Sequence, residues 1–192
     1  PDHLMGDTEG EKAGVGGPYI PVEADSQPAG DLKLELANLD RNLNRLETLQ
    51  ESMSRMPLAA PLTNYYITSS FGKRKDPMTN RWSAHYGVDL GGPMKSPVYS
   101  TAAGKVTHAG WKGRYGRMIE IDHGFGLKTR FAHLSKVLVK VGQEVKFHEK
   151  VGLLGSTGRS TGPHLHYEVV FNNKPLNPLK FIRAGKYVFK DK

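Results

Sequence analysis

Two hydrophobic rhythms divide this chain of 192 residues. Over residues 31–56, "DLKLELANLDRNLNRLETLQESMSRM", Leu32, Leu36, Leu39, Leu43 and Leu46 follow the alternating four-three spacing of a heptad seam. The seam meets Gln50, with Leu49 one position off, and recovers at Met53. This spacing predicts an amphipathic helix with Asp31 as its N-cap, ended by Pro57 and Pro61. From about Tyr65 the period shortens. Runs such as "YYITSSF", "PVYSTAA", "GKVTHAG", "RMIEIDHG", "LKTRFAHL", "VLVKVGQEV", "KVGLLGSTG" and "HLHYEVVF" are separated by compact turns. They predict a mainly β domain of short strands, long enough to bury a core. Residues 1–30 are rich in Gly, Pro and acids and read as a flexible arm. The expected order is an acidic arm over 1–30, the heptad helix over 31–56, a linker over 57–64 and the β domain over 65–192.

Charge sharpens this division. Residues 1–60 carry 5 Lys/Arg against 11 Asp/Glu, and residues 61–192 carry 22 against 8. The net +8 therefore combines an acidic N-terminal part of −6 with a basic domain of +14. A basic domain calls for an anionic partner such as nucleic acid, a lipid surface or a cell-wall polymer. The basic residues are scattered and no aromatic-interleaved recognition motif is present, which argues against nucleic acid. The absence of cysteine excludes disulfides and thiolate-bound zinc but leaves zinc held by His and carboxylate. No apolar run approaches a membrane span and no signal peptide is visible. The chain begins at Pro1 and reads as a processed or truncated piece, which leaves room for an upstream anchor.

The candidate chemistry lies in the histidines. In "TGPHLHYEVV", residues 161–170, strand alternation puts His164, His166 and Glu168 on one face and Leu165, Tyr167 and Val169 on the other. Two imidazoles on one face can share a metal, or one can bind it while the other does chemistry beside it. In "HYGVDL", residues 85–90, His85 and Asp89 lie too far apart on a straight strand, and Gly87 permits the bend that joins them. His133 in "FAHLS" follows a strand. "HEKVG", residues 148–152, lacks the second histidine of a zincin motif, so His148 reads as a surface residue. His108 and His123 read as structural, and His3 lies in the arm. The glycine and valine rhythm of "VLVKVGQEVKFHEKVGLLGSTG" is similar to a lipoyl carrier, but no modifiable lysine motif accompanies it.

Taken together, "HYGVD", "FAHLS", "VKVGQEV", "GSTGRSTGPHLHYEV" and "PLNPLKFI" resemble the lysostaphin-type, LytM-like zinc metallopeptidases that cut peptidoglycan cross-links. The resemblance runs from about Ser69 to Ile182. It implies an antiparallel β fold, similar to a barrel-sandwich hybrid, with one zinc ion in a groove. It implies that His85, Asp89 and His166 hold the zinc and that His133 and His164 are the catalytic histidines. Zinc lowers the pKa of bound water to roughly 7 and polarises the scissile carbonyl. The two other histidines would help activate the water, stabilise the oxyanion and protonate the leaving group. "FGKRKDPMTNRWSA", residues 71–84, is expected as a groove-wall loop, and Arg74 falls where "FGxR" places an arginine with a substrate or structural role. Tyr86, Arg117, Phe131 and Tyr167 depart from the common pattern, which bears on substrate contacts more than on catalysis.

Some relatives of this type are non-catalytic regulators that bind and activate a cell-wall amidase. Such regulators typically lose metal ligands, and all five site residues are present here, which favours the enzyme. The helix and acidic arm remain interaction elements. The seam suits a second copy in a homodimer, an upstream helix, a cell-wall or division protein, or the catalytic domain itself. A heptad helix before the peptidase domain resembles Gram-negative envelope members. That implies the periplasm and a cross-link between D-Ala and diaminopimelate.

Overall fold

A computed structural model describes residues 29–76 and 79–188. The chain divides between Leu43 and Asn44 into two units. Helix α1 (Ala29–Ser54) begins two residues before the expected N-cap, so Asp31 sits in its first turn. There the carboxylate still complements the helix dipole. Leu32, Leu36, Leu39, Leu43, Leu46, Leu49 and Met53 are all exposed.

Among the described residues thirteen strands follow: β1 (Tyr66–Ser69), β2 (Gly72–Lys75), β3 (Trp82–His85), β4 (Val88–Gly91), β5 (Pro97–Tyr99), β6 (Gly104–Trp111), β7 (Arg117–Gly124), β8 (Leu127–Leu134), β9 (Lys136–Val137), β10 (Glu144–Val145), β11 (Lys150–Leu153), β12 (His164–Phe171) and β13 (Lys174–Leu176). A main sheet runs in the order β1-β4-β12-β8-β7-β6-β10, and β13 also pairs with β12. Its ladders are antiparallel. A three-stranded sheet (β5-β11-β9) and the hairpin β2-β3 complete the β structure. Turn chemistry sets the hairpins. Asn172 and Asn173, between β12 and β13, have φ of 46° and 63°. A two-residue loop with both φ positive matches the twist of the flanking strands, and asparagine tolerates that backbone.

Strand β12 lies inside the main sheet, between β4 and β8. Its alternation holds as expected. Leu165, Tyr167 and Val169 enter the core beside Val88, Leu90, Ile119, Ile121 and Phe131. Full burial of each such side chain contributes about 1.5–3 kcal/mol. Tyr167 and Phe131 are cross-strand partners with ring centroids 5.3 Å apart. The Tyr167 hydroxyl donates to Thr101 Oγ1 at 3.0 Å, which satisfies its buried polar end. Phe131 and Tyr167 are therefore core residues, and their departure from the common pattern concerns packing, not substrate contact.

Three further differences from the sequence reading have physical causes. Residues 57–64, expected as a linker, pack into the domain: Leu62 is a core residue and Pro57 and Pro61 are buried. Within the segment expected as a groove-wall loop, residues 72–75 and 82–85 pair as the antiparallel strands β2 and β3. The C-terminal segment forms a helix, α2 (Pro178–Val188), with Pro at its first position, Ile182 buried, and Gly185 against the Leu58 carbonyl. Among the described residues no helix is long and apolar enough to cross a membrane.

A candidate metal centre and active site

His85 ends β3, Asp89 lies on β4 and His166 lies opposite Asp89 on β12. Gly87 makes the bend between His85 and Asp89. A Cβ at that position would stand 2.5 Å from the Tyr167 carbonyl oxygen and 2.8 Å from His166 Cε1. Glycine is thus needed there for close approach to β12.

The three donor atoms form a tight triangle. His85 Nε2 is 3.0 Å from Asp89 Oδ1 and 3.1 Å from His166 Nδ1, and His166 Nδ1 is 2.8 Å from Asp89 Oδ1. All three residues are buried, and they form the one such group found among the described residues. A tetrahedral ion bound at about 2.0–2.1 Å needs donor separations of about 3.3 Å. A few tenths of an ångström of opening would admit zinc, so the donor set fits the ion.

The outer nitrogens set the tautomers. His85 Nδ1 donates to the Ser70 carbonyl at 2.8 Å, and His166 Nε2 donates to Glu168 Oε1 at 3.0 Å. Each imidazole therefore keeps its proton outside and can turn a lone pair inward beside the carboxylate. The other two histidines follow the same plan. His133 Nδ1 donates to the Thr157 carbonyl at 2.7 Å, and His164 Nδ1 donates to the Gly162 carbonyl at 2.8 Å. The His133 ring lies 4.8 Å from that of His164 and 5.8 Å from that of His166, centroid to centroid. His164 Nε2 stands 3.9 Å from Asp89 Oδ1. A cavity of about 380 Å³ is lined by all five residues, together with Arg74, Arg114, Tyr115, Arg159 and Glu168.

The electrostatics match this geometry. Burial pushes the Asp89 carboxyl up, but His166 and His85 outweigh it and hold it well below the usual carboxylate range. Burial disfavours the charged form of His166, yet the flanking Asp89 and Glu168 outweigh it and raise its pKa. Burial drives His133 the other way. It pushes His133 down to about 4, against the Thr157 carbonyl bond and helped by His164 and His166.

His133 also has φ of 61°, a left-handed backbone that strains most residues but that asparagine tolerates. A folded pKa near 4 lies below the unfolded value of roughly 6.5. Between those values the unfolded chain binds a proton that the folded chain refuses, so stability is lost as pH falls from about 6.5 toward 4. In metal-free protein the loss from His133 is on the order of 3 kcal/mol. His123 is buried and also lowered, which adds in the same direction. His133→Asn should therefore fold and show a shallower fall in melting temperature over this range than the parent chain. Equal slopes would show that His133 protonates as freely folded as unfolded.

Two features escaped the sequence reading. Glu168 Oε1 accepts from His166 and from the Tyr115 hydroxyl at 2.9 Å, and Oε2 accepts from Arg130 Nη1 at 3.1 Å. Arg130 Nε reaches Glu120 Oε2 at 2.7 Å, and Glu120 Oε1 accepts from the Thr107 hydroxyl at 2.9 Å. Burial opposes the charge on Glu168, but His166, Tyr115 and Arg130 outweigh it and lower its pKa. Arg74, expected as a substrate or structural contact, places Nη2 3.3 Å from Asp89 Oδ2 while lining the cavity. Alternation already puts Glu168 on the histidine face; nothing local marks Arg130 or Tyr115. His123, Nδ1 to the Ala103 carbonyl and Nε2 to Thr129, is buried away from the cavity, and exposed His148 stacks on Tyr99. His3 lies outside the described residues.

The chain is similar to known proteins along this same region. The model of "Peptidase family M23" matches residues 83–178. The peptidoglycan DD-endopeptidase ShyB of Vibrio cholerae is 42% identical over 153 residues, covering 79% of this chain and 35% of the relative. The chain thus spans about a third of that relative's length. A zinc-containing peptidase from Vibrio cholerae is 44% identical with a TM-score of 0.59, covering 64% of this chain and 38% of that one. The catalytic domain of lysostaphin from Staphylococcus simulans is 33% identical with a TM-score of 0.58, covering 62% of this chain and 93% of that domain. With a family match that covers half of its residues and spans all three corners of the His/Asp/His triangle, the chain belongs to peptidase family M23.

Proposed function

We propose that this chain is the catalytic part of a zinc-dependent peptidoglycan endopeptidase that hydrolyses the D-Ala–diaminopimelate cross-link. The observation that carries this reading is the convergence of three donor atoms within 2.8–3.1 Å, with two further imidazoles on the same cavity. The relatives named as DD-endopeptidases support the bond type.

In this reading His85 Nε2, Asp89 Oδ1 and His166 Nδ1 hold one zinc ion. When bound, the ion supplies Lewis acidity to the scissile carbonyl and to the attacking water. Arg74 fixes the second oxygen of Asp89, while Ser70 and Glu168 fix the rings of His85 and His166. His133 is held neutral and can accept a proton; His164 presents Nε2 to the same space. Hydrolysis forms a bond from water oxygen to the carbonyl carbon and breaks the C–N bond. Between them the two imidazoles take a proton from the water and return one to the leaving nitrogen. The presence of both catalytic histidines and all three donors favours this over an amidase-activating regulator.

The basic domain suits anionic peptidoglycan, and the heptad helix and the Gram-negative relatives support a periplasmic, envelope-facing protein. The exposed leucine seam offers a surface for an envelope partner or a second copy. The test is muropeptide analysis by mass spectrometry after incubating cross-linked sacculi with the zinc-loaded protein. Conversion of cross-linked dimers to monomers, abolished by a chelator and restored by zinc, is the expected result. Persistence of the dimers with full zinc occupancy would overturn it.

A further inference from the structure

Three arginines line the catalytic cavity: Arg74, Arg114 and Arg159. Two of them face carboxylates. Arg74 Nη2 lies 3.3 Å from Asp89 Oδ2, and Arg159 Nη2 lies 2.8 Å from Asp76 Oδ1. Arg114 is exposed, and its side chain makes no hydrogen bond or ion pair with any described residue. A bound divalent ion adds positive charge to the same space. The cavity therefore has an uncompensated cation on its wall that the hydrolytic machinery does not use.

Arg114 is also held in place. It lies in the 3-10 turn Gly113–Tyr115. Its carbonyl accepts from the Arg159 backbone N–H at 2.8 Å. The next residue, Tyr115, is bonded to Glu168, which anchors His166. Gly116 packs so closely that a Cβ there would stand 2.5 Å from the Thr157 carbonyl oxygen. That same carbonyl anchors His133. The backbone that carries Arg114 is thus fixed to the supports of two site histidines. An arginine offered from a rigid turn loses less freedom on binding and can grip a carboxylate through two N–H groups.

We propose that Arg114 is a specificity residue that binds a free carboxylate beside the scissile amide. This rests on the endopeptidase reading above. In a D-Ala–diaminopimelate cross-link, the carbon that bears the leaving nitrogen also bears a carboxyl group. That group lies two bonds from the nitrogen, so a nitrogen positioned for cleavage brings the carboxylate into the same 380 Å³ cavity. A bridge of neutral glycines offers no such charge. Arg114 therefore sorts substrates by the anion next to the bond.

The test uses two soluble cross-linked muropeptide dimers, identical except that this carboxyl is free in one and amidated in the other. The zinc-loaded full chain should cleave the free form with a kcat/KM at least about tenfold higher, the worth of a charge-assisted hydrogen bond. Arg114→Gln should bring the two within about twofold of each other, and Arg114→Glu should reverse the preference through like-charge repulsion. Arg114→Lys, which keeps the charge without the fork, should retain part of the preference. Equal cleavage of the two dimers by the parent chain, or a preference unchanged in Arg114→Gln and Arg114→Glu, would overturn the role of Arg114 and leave the endopeptidase reading intact. Cleavage of neither dimer by the parent chain would overturn both.

Discussion

His164→Ala and His166→Ala, two residues apart on β12, should both lose hydrolysis yet differ in bound zinc. His166 Nδ1 is one corner of the donor triangle, within 3.1 Å of both other donors. Its removal leaves two protein donors, short of the three that catalytic zinc sites use. It also strips Asp89 and Glu168 of the imidazole between them, leaving a buried carboxylate less well compensated. His164 stands back from the triangle, with Nε2 3.9 Å from Asp89 Oδ1. Without it the donor set is intact and one of the two imidazoles proposed for proton transfer is gone. Loss of such a group costs about 10²–10⁴-fold in rate. Metal analysis of the purified variants beside turnover on cross-linked muropeptides checks both parts. Full zinc in His166→Ala, or depleted zinc in His164→Ala, would reverse the assignment of the pair.

Glu168→Gln should weaken zinc binding by about tenfold to a hundredfold, the usual effect of losing a ligand's supporting carboxylate. The reason is a shortage of acceptors. Glu168 uses one oxygen for His166 and Tyr115 and the other for Arg130. Glutamine has a single side-chain oxygen, so either Arg130 or the His166 and Tyr115 pair loses its acceptor. An amide N–H turned toward His166 Nε2–H would force the ring to rotate or change tautomer. Competition against a chromophoric chelator measures the affinity without relying on turnover. An affinity equal to that of the parent chain would mean that His166 keeps its orientation without the carboxylate. Tyr115→Phe removes one donor and no acceptor, and its effect should be smaller.

Much of this site was legible because its parts follow short local rules. Strand period alone placed His164, His166 and Glu168 on one face, and glycine between His85 and Asp89 announced the bend. The four candidate site histidines and Asp89 were recognisable through spacing shared with a family. The support behind His166 was not legible, because Glu120, Arg130 and Glu168 meet only through the β7-β8-β12 register. Residues 57–64 misled for a related reason. Their two prolines mark the end of a helix, but burial of Leu62 depends on partners far away in sequence. The C-terminal helix was hidden by its short length and by the aromatic, β-favouring character of "KFI" and "KYVF". Arg74 was marked by its motif alone, whereas its ion pair with Asp89 needed the folded hairpin.

The donors His85 and Asp89 come from one end of the β domain's sequence, and His166 follows Asp89 by 77 residues. No early, local fragment of the chain can gather them; the triangle exists only once β4 has paired with β12. Closing so long a loop is slow and costs entropy before any non-local contact rewards it. A metal ion bound at this site would therefore arrive late in folding. It would find its three ligands only after the sheet has assembled, and its contribution would fall on the lifetime of the folded chain rather than on the speed of reaching it.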